Sequence, residues 1–140
     1  MKTSIYSCRV AIIAASLFSA GSAYCQEEIV RIGHVAPISG AQAYYGKYNE
    51  NGARMAIAEL NARGVTIGGK KVKFELVVED DAADPKQGLL AAQKLCDAKV
   101  AGVVGHFNSL TAISASKVYN DCGIPHMTGV TPNPKLRIYP

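Results

Sequence analysis

The six residues Val100–Gly105, VAGVVG, form a continuous apolar run, and Ser109–Asp121, SLTAISASKVYND, follows with Ile113, Val118 and Tyr119 at helical spacing. An unbroken apolar strand suits a position buried on both faces, as in the centre of a parallel sheet, and parallel strands must be joined by crossovers that are usually helices. Upstream, Ile29–Ala36 (IVRIGHVA) alternates with period two, and Ala53, Ala56, Ile57 and Leu60 repeat with helical period in a segment that closes at Gly64. A turn at Ile67–Lys70 precedes Lys71–Val78 (KVKFELVV), an alternating strand. Asp84, Pro85 and Gln87 read as N-cap, N1 proline and capping-box partner of a helix that runs through Leu89, Leu90, Leu95 and Cys96. Downstream, Ile124–Met127 is a short last strand, and Gly129, Pro132 and Pro134 mark a loop. Alternating strands and helices with short links predict an α/β fold, a doubly wound, mostly parallel sheet with right-handed crossovers and helices on both faces.

The chain has 140 residues, 49% hydrophobic and 19% charged, which excludes disorder, collagen and coiled coil and allows one domain. Lys plus Arg number 15 against 11 acidic residues, and the net charge of +4 is dispersed, so nucleic acid is not expected as a partner. The first residues read as a leader. Lys2 and Arg9 are followed by the apolar Val10–Ala20, too short to span a bilayer, and by the small residues Gly21, Ser22 and Ala23. Residues 1–23 are therefore expected to be a signal peptide and 24–140 the mature part, with its net charge lowered to +2 by the loss of Lys2 and Arg9. A lipid anchor at Cys25 is disfavoured by the bulky Tyr24 before it. Export permits disulfides. Cys8 leaves with the leader and Cys25 lies at its border, while Cys96 and Cys122 lack CxxC or zinc spacing and are expected as two buried free thiols.

In doubly wound sheets ligands bind beyond the carboxyl ends of the strands, where helix N-termini offer free N–H groups. Four segments qualify: Pro37–Gly46, Asp80–Asp84, His106–Thr111 and Thr128–Pro134. The first, PISGAQAYYG, has neither the dinucleotide glycine pattern nor a P-loop, so no nucleotide is indicated. Of its adjacent tyrosines, one reaches into a cleft while the other packs, or both cover the sheet edge. Asp80 and Asp81 point to opposite sides of a strand, so they read as solvated acids beside a cap and not as a metal or acid–base pair. His34, His106 and His126 lack ligand spacing, which argues against a metal. In GHFNSLT, Asn108 or Ser109 caps a helix; alternatively the Ser109 hydroxyl and the free N–H groups hold a carboxylate. GxSxG is absent and no motif places a base beside Ser109, so binding fits better than catalysis, with no cofactor.

GHVAPISGAQAYYG, NGARMAIAELNARG, VVEDDAADPKQG, VVGHFNSLTA and YNDCGIPHMTGVTPNPKL, in that order behind a leader, resemble the periplasmic branched-chain amino-acid (Leu/Ile/Val) binding proteins of ABC transporters. The resemblance implies the first lobe of a periplasmic binding protein of type I. It also implies capture of an amino acid, branched-chain above all, for delivery to an ABC permease, by a protein that is monomeric and not an enzyme. Relatives bind other amino acids, amides or aromatic acids. Carried over by position, Tyr45 lines the cleft and Ser109 holds the ligand carboxylate at its helix N-terminus. Val130 and Pro132 fall where the family takes up carboxylate and ammonium. Pro132 stands in place of the usual Thr, and Thr131 is the substitute. A disulfide of some relatives falls on Ala83 and Asn108, so it is absent. The family's second lobe has no counterpart, and RIYP does not continue the pattern; the chain is expected to hold a half-site that binds amino acids too weakly to measure. An exported α/β hydrolase using Asp80 and Asp81 with a metal, and a ligand-sensing receptor ectodomain, are the alternative classes.

Overall fold

The computed structural model describes residues 27–129 and 133–137. The expected leader, Cys8, Cys25 and the ligand positions Val130, Thr131 and Pro132 lie outside the described residues. Strand β1 (Glu28–Ala36) leads through a 3₁₀ turn (Gly40–Gln42) into helix α1 (Ala43–Arg63). A two-residue β2 (Thr66–Ile67) and β3 (Lys70–Asp80) follow, then α2 (Pro85–Asp97), β4 (Gly102–Gly105), α3 (Ser109–Asp121) and β5 (His126–Met127). The sheet order is β2-β3-β1-β4-β5, and every pairing is parallel except the β2–β3 hairpin. This is the doubly wound, mostly parallel sheet that the alternation of periods predicts. The hairpin is an addition that the Ile67–Lys70 turn alone did not disclose.

Helix α1 packs on β3 and β1, while α2 and α3 lie together on the opposite face. On that face Val35 and Val103 meet Ala91, Ala92, Leu95, Ala115 and Tyr119 in the core, with Val77, Val118 and Ile124 packed against it. The buried positions of α2 are Gly88, Ala91, Ala92 and Leu95. Leu89 and Leu90 of the same helix are exposed. The reason is close approach: a Cβ on Gly88 would lie 3.1 Å from the Thr111 Cβ of α3, so the buried stripe of α2 is built largely of small residues.

Cys96 and Cys122 form a disulfide, with Cα atoms 6.1 Å apart, which overturns the expectation of free thiols. Both helices return from the carboxyl to the amino edge of the parallel sheet, so they run side by side in one direction. Their last turns therefore meet, within the roughly 7 Å that a disulfide tolerates, and a spacing of 26 residues in sequence carries no sign of it.

On the face that α1 occupies, the β4–β5 half of the sheet is bare among the described residues. Val104 is 40% and Met127 70% exposed, and with Ile32, Gly102 and Pro125 they line an apolar recess.

Candidate functional site

The carboxyl edge of the sheet is organised by two acids at the end of β3. Asp80 Oδ1 accepts from the backbone N–H groups of Ile38 (3.0 Å), Ser39 (3.4 Å) and Ala82 (2.8 Å), tying the loop after β1 to the loop after β3. Burial alone would raise its pKa, but the hydrogen bonds from Ser39, Ala82 and Ile38 together outweigh that and hold the carboxyl below its ordinary range. Gly46 seals the same loop from above, because a Cβ there would lie 2.1 Å from the Pro37 carbonyl oxygen. No side chain fits between α1 and the loop.

Asp81 departs from the expected solvated acid. It is fully buried, with Oδ1 accepting from Ala83 N–H at 3.0 Å and Oδ2 from His106 Nδ1 at 2.8 Å. The carboxylate can only accept, so Nδ1 carries the proton, and in the neutral ring Nε2 accepts from the Tyr119 hydroxyl at 3.0 Å. Burial, and then the charge of Asp81, push the Tyr119 phenol up. His126 Nε2 donates to the Gly105 carbonyl at 2.6 Å, and burial lowers its pKa to about 4. His34 Nδ1 donates to the Val104 carbonyl at 2.9 Å, and burial lowers its pKa too. Each histidine thus has a packing role. No group of three or more His, Cys, Asp or Glu placed to hold a metal occurs among the described residues.

Gly105 ends β4 at φ +135°, where a Cβ would lie 2.1 Å from the Val35 carbonyl oxygen. This left-handed backbone delivers the His106 ring downward into the core and Phe107, Asn108 and Ser109 to the surface. Ser109 opens α3 and Asn108 holds the N-cap position without a side-chain capping bond. Instead the Asn108 amide donates across the edge to Gln42 Oε1 at 2.9 Å. The first N–H groups of α3 keep no cap from Asn108, and Ser109 sits among them, half-buried, in a recess lined by Gln42, Ala83, Phe107, Asn108 and Leu110. Ala83 and Asn108, which the family resemblance pairs in a disulfide, both line this recess. His106 is committed to Asp81 and Tyr119, which leaves it no role as a base for Ser109.

Tyr44 and Tyr45 lie on α1, not in a loop, because the helix starts at Ala43. Neither is packed away. Tyr45 stacks on Phe107, with centroids 5.9 Å apart and planes within 10°, and Tyr44 stands edge-on to both Tyr45 and Tyr48. Neither Tyr48 nor Phe107 is among the residues that the sequence singles out. The i, i+4 spacing of Tyr44 and Tyr48 would have exposed the first had the helix start been placed correctly; Phe107 offered no signal.

Residues 29–137 match the periplasmic binding protein family. The chain belongs to that family. Leu/Ile/Val-binding protein homolog 2 of Brucella abortus (strain 2308) is 38% identical over 134 residues, covering 96% of this chain and 34% of the relative. The branched-chain amino acid transporter substrate binding protein LivJ of Streptococcus pneumoniae, solved with isoleucine, superposes with a TM-score of 0.71 at 28% identity, over 78% of this chain and 31% of that one. A solute binding protein of an ABC transporter from Rhodopseudomonas palustris BisB5, solved with 3,4-dihydroxybenzoic acid, superposes at 0.63 and 27% identity, over 75% and 28%. The chain spans about a third of the length of the relatives it matches. The family is one of solute-binding proteins and not of enzymes.

Proposed function

We propose that this chain forms the ligand-capturing part of the first lobe of an extracytoplasmic amino-acid-binding protein that serves an ABC importer. The observation that carries the reading is the amino terminus of α3, uncapped by Asn108, with the Ser109 hydroxyl beside it at the carboxyl edge of the sheet. A carboxylate placed there gains charge-assisted hydrogen bonds and the positive end of the helix dipole. Tyr45 lines the cleft, and Val130, Thr131 and Pro132 complete the solute's polar contacts, Thr131 serving where Pro132 has no hydroxyl. Residues 1–23 direct export to the periplasm, and residues 24–140 work there as a monomer that passes its solute to the permease without catalysis or cofactor. The contacts named come from one lobe, and taken by themselves they hold a solute in the millimolar range, below what calorimetry resolves but within reach of a chemical-shift titration.

The test is an amide ¹⁵N–¹H titration of the chain with L-leucine at millimolar concentration. The amides of Ser109, Leu110 and Thr111 are expected to shift, and Ser109→Ala to weaken the effect about tenfold. A flat response at those amides with every amino acid tried would sink the reading.

A further inference from the structure

Relatives take side groups as different as isoleucine and dihydroxybenzoate, so family membership leaves the class of side group open. From the ring array beside Ser109 we infer that this site selects a carboxylate solute whose side group is a planar aromatic ring, such as an aromatic amino acid, over one with a branched aliphatic chain. The inference rests on the carboxylate anchor proposed above and concerns the other end of the solute.

Three observations carry it. First, the Ser109 recess and a second recess share Phe107 as a common wall. A solute anchored at the start of α3 therefore meets Phe107 on its way to the second recess. Second, that second recess is lined by Tyr44, Tyr45, Tyr48, Asn49 and Phe107, with no charged and no aliphatic side chain. Of the chain's seven tyrosines, three meet here with one of its three phenylalanines. Third, the rings are presented, not packed away: Tyr44, Tyr45 and Tyr48 are 66%, 58% and 62% exposed. They are ordered among themselves, Tyr45 parallel to Phe107 and Tyr44 edge-on to Tyr45 and Tyr48, with the Tyr44 hydroxyl donating to Tyr48 at 3.1 Å.

Such an array discriminates through ring electrostatics. Any apolar side group gains from leaving water, but only another ring adds the face-to-edge and offset-stacked attraction of opposed quadrupoles. That added attraction corresponds to a preference of about twofold to tenfold for each ring pair. Tyr45 and Phe107 already form one offset pair, and an incoming ring extends the stack by a third member. The phenolic hydroxyls at the rim keep the rings wetted while the site is empty.

The experiment compares L-phenylalanine with L-leucine on the intact chain by the same amide titration, adding the aromatic proton resonances of Tyr45 and Phe107. Both solutes are expected to move the Ser109–Thr111 amides. Phenylalanine alone is expected to give ring-current shifts on Tyr45 and Phe107 and to bind about fivefold tighter. Phe107→Leu, and separately Tyr48→Leu at the exposed rim, should each reduce that preference. Leucine binding as tightly as phenylalanine, or silent aromatic resonances while the Ser109 amides move, overturns the aromatic inference and leaves the carboxylate anchor standing. Unmoved Ser109 amides with both solutes refute the anchor, and the inference falls with it.

Discussion

Asp81, His106 and Tyr119 show how much a residue's chemistry depends on what the fold sets beside it. Asp80 and Asp81 are adjacent acids, and the alternation of a strand correctly places them on opposite sides. It gives no hint that one side is a loop to be tied and the other a core containing a histidine 25 residues away. Removing one partner of such a buried pair strands the other, so Asp81→Ala should lower stability by about 3 kcal/mol, read as a shift in the urea midpoint. A change below about 0.5 kcal/mol would contradict that role. The histidines make a second prediction. His126 has its pKa lowered from 6.5 to about 4 and His34 is lowered in the same sense, so as pH falls the unfolded chain takes up protons before the folded one does. Their contribution is complete above about pH 6.5 and is lost as pH drops toward about 4. Stability should fall by about 1 to 2 kcal/mol between about pH 7 and pH 5, allowing for partial solvent screening, and by less in His126→Asn. A urea midpoint unchanged over that interval would rule this out.

Helices and strands were largely legible because their signals are local. Asp84 accepts from the N–H groups of Lys86 and Gln87 as its N-cap position requires, with Pro85 at N1. Asp84→Ala should cost about 1 kcal/mol of thermal stability measured by circular dichroism. The 3₁₀ turn and first turns of α1 were not legible: SGAQAYYG reads as loop from its glycines, yet Gly46 is there to let the helix touch Pro37, a demand of packing and not of turn chemistry. The Cys96–Cys122 link escaped for a similar reason, since only the parallel course of α2 and α3 brings their ends together. In the chain-entropy account a bond closing a loop of this length is worth about 3 kcal/mol. Reduction, or the Cys96→Ser, Cys122→Ser double variant, should lower the urea midpoint accordingly, and intact-mass analysis after alkylation without reductant should find neither thiol modified.

For the molecule as a whole, fold class was readable because period alternation fixes a doubly wound sheet, and that sheet in turn singles out its carboxyl edge as the proposed binding edge. The side group was not readable, since Phe107 and Tyr48 reach the same recess from elements 59 residues apart in sequence. Coverage of the sheet is equally a property of the whole: the apolar strip over β4 and β5, bare among the described residues, should bind a hydrophobic dye such as ANS. Val104→Lys combined with Met127→Lys should reduce that fluorescence severalfold without altering the far-ultraviolet spectrum, and undiminished dye binding would mean the strip is not what the dye sees.

The disulfide also has a practical consequence. It joins the carboxyl ends of two 13-residue helices whose first turns border the carboxyl edge of the sheet, so it sits roughly 20 Å from Ser109 at 1.5 Å per residue. Ser109 and the rings lie at one end of the molecule and this pair at the other. A reporter group attached through one of the two sulfurs, with the other replaced by serine, would therefore signal from the far pole of the domain and leave the mouth of the site unobstructed.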